Sequence, residues 1–404
     1  MDLKILRPGF GELALAVKPY FGFSQRLCYN ITIVNMGIEI DFLAVGEAKK
    51  SGDAIAVRFG NLHGKREEQT VITIDGGTID SGERLVEHIK KHYGTSNVDY
   101  AFLTHPDGDH ASGMREVLEK LTVETVVMHR PWEHSHAIHD LFDDARTSPN
   151  SISERSRENL AAAHEVEKLA LAKGIKIVEP FAGLATSDQT IRVLGPTKAF
   201  YQTQLTRFDF MPEVKESTTD SEIIKTFLAE ASRAVNWLAD RWDTELLFLE
   251  PAEDATSAEN NSSLVLLLTV DNKQYLFTGD AGVPALTAAL DYATTASIDL
   301  TRLCFLQIPH HGSKRNVGPN VLNRLLGSPR TFDKPDRTAF VSAAKEGEPK
   351  HPSKQVTNAF RRRGVEVHVT AGLAKCHPMP VREGWGSSTP LPFYSQIEDE
   401  ESDD

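Results

Sequence analysis

Apolar residues alternate with polar ones over 53–59 (DAIAVRF) and 70–75 (TVITID), and the polar, glycine-bearing stretch GNLHGKREEQ separates the two runs. That pattern predicts an antiparallel strand pair. The period then changes. In SGERLVEHIKKHYG (81–94), Leu85, Val86 and Ile89 recur at helical spacing, and Gly94 is placed to end the helix. VDYAFLT (98–104) reads as a strand, ASGMREVLEKL (111–121) as a helix and VETVVMH (123–129) as a strand. Strand, helix, strand, helix, strand at this cadence predicts a layered α/β fold.

An amphipathic helix follows over 154–173, and IRVLGP (191–196) is a strand that ends at proline. Residues 197–258 interrupt the cadence with the helical run SEIIKTFLAEASRAVNWLADRW, so they read as a largely helical insertion, with Trp237 and Trp242 in its core. Alternation resumes with strands over 263–270 and 272–280, a helix over 283–293, and strands over 300–312 and 337–343. A helix over 353–364 and a strand over 365–370 complete it. A strand-rich block with helices on each side of the insertion predicts two facing sheets with helices outside. The final stretch, 386–404, is turn-rich and then acidic, which predicts a packed segment that ends in disorder. The trio Arg361, Arg362 and Arg363 at a helix end reads as a solvated cluster that complements the helix dipole.

With 404 residues and 40% apolar composition, the chain can bury a large core. No run approaches the roughly 20 apolar residues of a spanning helix, and no basic start leads into an apolar stretch, so the expectation is a cytoplasmic protein with no membrane association. Three scattered cysteines exclude a disulfide framework and a CxxC zinc site, which leaves histidine and carboxylate for any metal. A net charge of −13 repels nucleic acid at long range, so a polyanionic substrate needs a local basic patch.

THPDGDH, at 104–110, lies between the carboxyl end of a strand and the start of a helix, where ligands bind in such sheets. It supplies His105, Asp107, Asp109 and His110 within one loop. Two further strand ends supply Asp280, in TGD, and His310 with His311, in IPHHGS. Each set follows directly on an apolar strand, which argues that the three loops converge on one metal. MHRPWEHSHAIHD (128–140) carries His129, His134, His136 and His139. It follows a different strand and reads as a substrate-facing loop in which Trp132 stacks a base.

The ordered strings DAIAVRF, IDGG, THPDGDHASGM, ENNSSLVLLL, LFTGDAG, IPHHGSKRN and KHPS resemble the metallo-β-lactamase fold superfamily. Within it they are most similar to the metallo-β-lactamase-like hydrolase domain of the ComEC/Rec2 type, as a stand-alone soluble member. The resemblance implies a four-layer αββα sandwich over 1–385, with 197–258 inserted. It implies metal ligands at His105, Asp107, Asp109, His110, Asp280 and His310 or His311, with Asp280 bridging if two ions are present. Asp107 stands where most members carry histidine, and Asn260 or Asn261 stands where another histidine is usual. Carboxylate and amide oxygens harden the site, which implies one or two divalent ions, Mn²⁺ with Zn²⁺ as rival. Asp75 supports the loop from behind the ligands.

The implied reaction is hydrolysis by a metal-activated water, with Asp109 orienting that water and His351 protonating a leaving group. Ser313, Lys314 and Asn261 are expected to contact substrate. The leading expectation is a phosphodiesterase or nuclease acting on single-stranded DNA or nucleotide-type phosphodiesters. One alternative is a hydrolase of another small ester, amide or lipid phosphoester. The other is a non-catalytic scaffold or sensor that engages a protein partner through the insertion and acidic tail.

Overall fold

The strand pair expected over 53–75 forms as β2 (Ala54–Gly60) and β3 (Gln69–Gly76). The computed structural model describes residues 37–45, 51–144, 147–214, 238–346, 351–378 and 385–397. β1 (Gly37–Phe42), β4 (Asn97–Phe102), β5 (Thr122–Val127), β6 (Lys176–Val178) and β14 (Lys375–His377) complete a sheet in the order β14-β1-β2-β3-β4-β5-β6. The second sheet holds β7 (Ile191–Gly195), β9 (Val265–Val270), β10 (Lys273–Phe277), β11 (Leu303–Gln307), β12 (Arg337–Val341) and β13 (Val365–Val369), in the order β13-β12-β11-β10-β9-β7. β8 (Leu238–Ala239) and β15 (Gln396–Ile397) make a separate small ribbon.

Alternation within the strands decides the layers. Ile55, Val57 and Phe59 of β2 and Ile72 and Ile74 of β3 face the second sheet, where Leu266, Leu268, Phe277, Phe305 and Phe340 meet them in one buried cluster. Ala54, Ala56 and Val71 point the other way. Over them lie α1 (Ile79–His88), α2 (Gly108–Ala111), α3 (Met114–Lys120) and α6 (Ala161–Ala172), preceded by α4 (Ser135–Ile138) and α5 (Pro149–Asn159). Across the molecule, α9 (Val283–Thr295), α10 (Pro319–Leu326) and α11 (Lys354–Arg362) cover the outer face of the second sheet through Leu286, Leu290, Leu322 and Phe360. The result is an αββα sandwich. Two shorter helices, α7 (Lys198–Leu205) and α8 (Ala258–Asn261), bracket the inserted region.

Several expectations change. The single helix over 154–173 is two helices, because Leu160 leaves helical geometry (φ −104°, ψ 41°). The break lets α5 turn Ile152 and Ser156 inward while α6 buries Ala163, Val166 and Ala170 along another line. Gly94 ends the first helix as expected, in left-handed geometry (φ 64°), after a last turn that widens to π form over Ile89–Tyr93. The helix expected over 221–242 lies outside the described residues except for its end, where Leu238–Ala239 is strand. Trp237 and the acidic end of the chain also lie outside them.

The arginine trio is not a solvated cluster. Arg362 and Arg363 are 1% and 0% exposed. Arg362 donates to Asp240 at 2.5 Å, and Arg363 grips both oxygens of Glu245 at 2.7 Å. Both acids belong to the inserted region, so these pairs tie it to α11. Counting charges at a helix end misses this because the partners lie about a hundred positions upstream.

Candidate metal centre

The strands β3, β4, β10 and β11 end at one edge of the sandwich, and hydrogen bonds join the two sheets there. Leu264 N donates to Thr104 O at 2.9 Å, and Gln307 Nε2 donates to Asp53 Oδ2 at 2.7 Å. This edge brings the three loops together. His105, His110 and Asp280 place ligand-type atoms within 4.8 Å of one another, as do Asp109, His110 and His311, and Asp280, His310 and His311. His105 Nε2 also stands 3.6 Å from Asp107 Oδ2, so the seven candidate ligands form one connected cluster.

Each imidazole is fixed through its Nδ1. His110 Nδ1 lies 2.8 Å from Asp75 Oδ2, and His311 Nδ1 donates to the carbonyl of Ser342 at 2.8 Å. His310 Nδ1 lies 2.9 Å from Asn316 Oδ1, while Asn316 donates its amide to Asp280 O at 2.8 Å and thereby presents oxygen to the ring. His105 Nδ1 is 3.0 Å from Thr104 Oγ1, whose own proton goes to Asp75 Oδ2 at 2.6 Å. In this set Nδ1 carries the proton on all four rings and Nε2 is left to coordinate. Asp75 thus orients the loop as expected, through Thr104 and His110 together.

The donor set fits a divalent cation. His105 Nε2, His110 Nε2 and Asp280 Oδ1 are buried without hydrogen-bond partners, a costly state for polar atoms that a cation relieves. Burial disfavours a charged His110, but Asp280 and Asp75 outweigh it and raise its pKa well above the usual histidine value. Burial likewise opposes the Asp280 carboxylate, yet His110 and His310 hold its pKa well below the ordinary range. Burial keeps His311 neutral, with its pKa lowered to about 3, the state in which imidazole ligates metal.

Backbone strain concentrates here. Asp75, His310 and His311 adopt positive φ (57°, 45° and 57°), which costs a residue with a Cβ about 1–3 kcal/mol each. Gly279, at φ 52°, abuts the Thr104 side chain so closely that a Cβ would lie 2.8 Å from it. Only glycine lets TGD approach THPDGDH in this way.

Two site residues escaped the sequence reading. Gln307 is 1% exposed. Its Oε1 accepts from Thr278 N (2.9 Å) and Gly279 N (3.1 Å), which directly precede Asp280. Its amide meets Asp53, whose pKa burial pushes up to about 7 and whose ligand-type atoms group with those of Asp75 and His110. A glutamine at the end of the apolar run LCFLQ and an aspartate just before AIAVRF were the available signals.

The remaining candidates divide. The ring of His351 lies 6.5 Å from that of His311, beside the centre. Asn261 is 3% exposed, with Nδ2 bound to Thr256 O at 3.1 Å and Oδ1 buried without a partner. Ser313 is 4% exposed and accepts from Arg315 N at 3.2 Å, so it shapes the turn that carries Lys314 and does not present its hydroxyl to substrate. The role expected of Trp132 is also corrected. It is 1% exposed, packed 5.0 Å from His164 and covered by α5, so no ring face is open to a base. His129 and His134 pack against Tyr201 and Phe181 in the same buried group.

Residues 66–175 match the model of the metallo-β-lactamase superfamily. ComE operon protein 3 of Bacillus subtilis is 26% identical over 125 residues, a match that takes in 31% of this chain and 14% of that protein. Among solved structures, a diphosphatase of the PhnP family aligns over 84% of this chain and 97% of its own, at 8% identity and a TM-score of 0.36. The long form of RNase Z from yeast aligns over 86% of this chain and 42% of its own, at 11% identity and a TM-score of 0.35. No helix among the described residues is long and apolar enough to cross a membrane. The match to the metallo-β-lactamase superfamily is confined to residues 66–175, the stretch that carries His105, Asp107, Asp109 and His110.

Proposed function

We propose that the chain is a metal-dependent phosphodiesterase acting on DNA or nucleotide-type phosphodiesters. The observation that carries the proposal is the set of imidazoles tethered at Nδ1 whose ligand-type atoms fall, with those of Asp109 and Asp280, into overlapping groups within 4.8 Å. His105, His110, His311, Asp109 and Asp280 would hold the ion, with Asp107 at the entrance. When bound there, a divalent cation supplies Lewis acidity and makes hydroxide available near neutral pH. Carboxylate oxygens in the set favour Mn²⁺ over Zn²⁺.

The chain's own groups do the rest. Asp109 orients the attacking water and accepts its hydrogen bond. The new bond forms between the water oxygen and phosphorus, the bond from phosphorus to the departing alcohol oxygen breaks, and the alcohol leaves with a proton. His351, beside His311, is the group that would deliver that proton. His310 has a side chain 33% exposed with Nε2 4.0 Å from Asp280, which puts it at the mouth, unlike the buried His311. Lys314, on the turn that Ser313 braces, would meet the phosphate.

The test is hydrolysis of bis(p-nitrophenyl) phosphate and of short single-stranded DNA with Mn²⁺, Mg²⁺ or Zn²⁺. Turnover that disappears in Asp109→Asn and Asp280→Ala is expected. Turnover of carboxylic esters or amides, with neither phosphodiester cleaved, would replace the reading with the other hydrolase class.

A further inference from the structure

Asn260 lies in α8, where Ser257 Oγ accepts from its backbone N–H at 3.1 Å and its carbonyl accepts from Ser263 N at 3.0 Å, so its backbone is fixed. The residue is 7% exposed. Its Nδ2 lies 3.3 Å from Nδ1 of His310, and its Oδ1 is buried without a hydrogen-bond partner. The same ring nitrogen lies 2.9 Å from Oδ1 of the fully buried Asn316. Asn316 is held in that orientation because its own NH2 donates to the carbonyl of Asp280 at 2.8 Å. It presents oxygen, and His310 Nδ1 must therefore carry the proton. The NH2 of Asn260 then opposes an N–H, donor against donor, while its oxygen goes unanswered. A half-turn of the carboxamide, whose two ends are nearly alike in shape, removes that opposition. Oδ1 then accepts from His310 Nδ1–H, and the NH2 takes the buried place, where a water or substrate oxygen is the group to answer it.

We propose that Asn260 is a positioning residue for His310: turned in this way, its oxygen and that of Asn316 together hold the Nδ1–H and keep Nε2 as an acceptor at the mouth of the metal centre. The His310 side chain is 33% exposed, with Nε2 4.0 Å from Asp280 Oδ2, and its ligand-type atom groups with those of Asp280 and His311. A bare nitrogen there takes a cation, or the O–H of a water or alcohol, and offers no proton to a phosphoryl oxygen. Asn260, which stands where the resemblance leads to a further histidine ligand, acts through the neighbouring ring and not on the ion. This role belongs to the centre itself and stands whether or not the substrate is a phosphodiester.

The test is nitrogen NMR of the full chain carrying nitrogen-15-labelled histidine, freed of metal by chelation so that coordination does not itself fix the tautomer. The spectra are taken at about pH 8.5, where an ordinary imidazole is neutral, and His310→Gln identifies the signals. In the wild type, Nδ1 of His310 is expected to carry the proton and Nε2 to show the shift of a bare nitrogen. Asn260→Leu, similar in size, removes the hydrogen bond, and the ratio of the Nδ1-protonated to the Nε2-protonated ring should fall about fivefold. Asn260→Asp returns an oxygen to the same place and should restore the wild-type pattern, which packing alone would not do. A wild-type proton on Nε2 overturns the proposal, as does a ratio that Asn260→Leu leaves unchanged, which would assign the ring to Asn316 alone. Asn260→Asp behaving like Asn260→Leu overturns it too, because the ring then senses shape and not an acceptor. None of these readings depends on turnover, so failure of both phosphodiesters to react would sink the proposed function and leave this role to be judged by the spectra.

Discussion

Gln307 shows how one side chain sets a site it does not enter. It links Asp53, beside His110, to the amides of Thr278 and Gly279, which directly precede Asp280. Gln307→Leu removes both functions at once and leaves two buried amides and a carboxylate without it. Metal affinity should fall by about 10–100-fold, the usual effect of losing an outer hydrogen bond to a metal site. Stability should fall by about 1–3 kcal/mol. Metal titration calorimetry and chemical denaturation measure the two effects, and an unchanged metal affinity would deny Gln307 any part in placing Asp280. At the same scale, Asp109→Asn keeps the shape of the side chain but removes its charge. It should reduce kcat/KM at least about 10³-fold, equivalent to about 4 kcal/mol of transition-state stabilisation, with the far-ultraviolet spectrum unchanged.

The elements were legible in the sequence where periodicity is strong and local. The alternation in DAIAVRF and TVITID marked β2 and β3, and apolar runs ending in polar clusters marked the loops that carry His105, His110, Asp280 and His311. What stayed hidden depends on distance. Lys176–Val178 is too short to show a period, and Leu160 breaks a helix because two packing directions compete. The burial of Arg362 requires knowing that Asp240 folds back onto α11. That pair yields a prediction for the element. Arg362→Met strands the Asp240 carboxylate, which is 5% exposed, and should cost about 3–5 kcal/mol, as removing one partner of a buried pair does. Adding Asp240→Leu should restore much of the loss. Denaturant midpoints of the two variants check this, and a double variant as weak as the single one would mean that packing at Arg362, rather than charge, holds the inserted region to α11.

The whole molecule carries a charge of −13 and buries several neutral histidines. His129 lies 4.2 Å from Tyr201, ring to ring, and burial lowers its pKa from 6.5 to about 3. A histidine held neutral in the folded state stabilises the fold fully above pH 6.5, where the unfolded chain is neutral too. That contribution is lost as the pH falls from 6.5 toward 3, since only the unfolded chain then gains the proton. At pH 5 the loss from this residue is on the order of 2 kcal/mol. Thermal melts should therefore show a lower midpoint at pH 5 than at pH 7.5, and His129→Phe, which keeps an aromatic ring beside Tyr201, should narrow that gap. A gap of the same size in the variant would place the acid sensitivity elsewhere.

At this scale a net charge of −13 favours a small diester or a strand end over the middle of a long polyanion. The convergence of His105, His110, His311, Asp109 and Asp280 on one cation is the claim on which all of this depends. Its most direct measurement is metal content by plasma mass spectrometry after dialysis against Mn²⁺ and Zn²⁺, on wild type and on a variant carrying His110→Ala and Asp280→Ala. One or two equivalents in the wild type and under a tenth in the folded variant is the predicted result; a wild type that retains no metal, or a variant that retains as much, would contradict it.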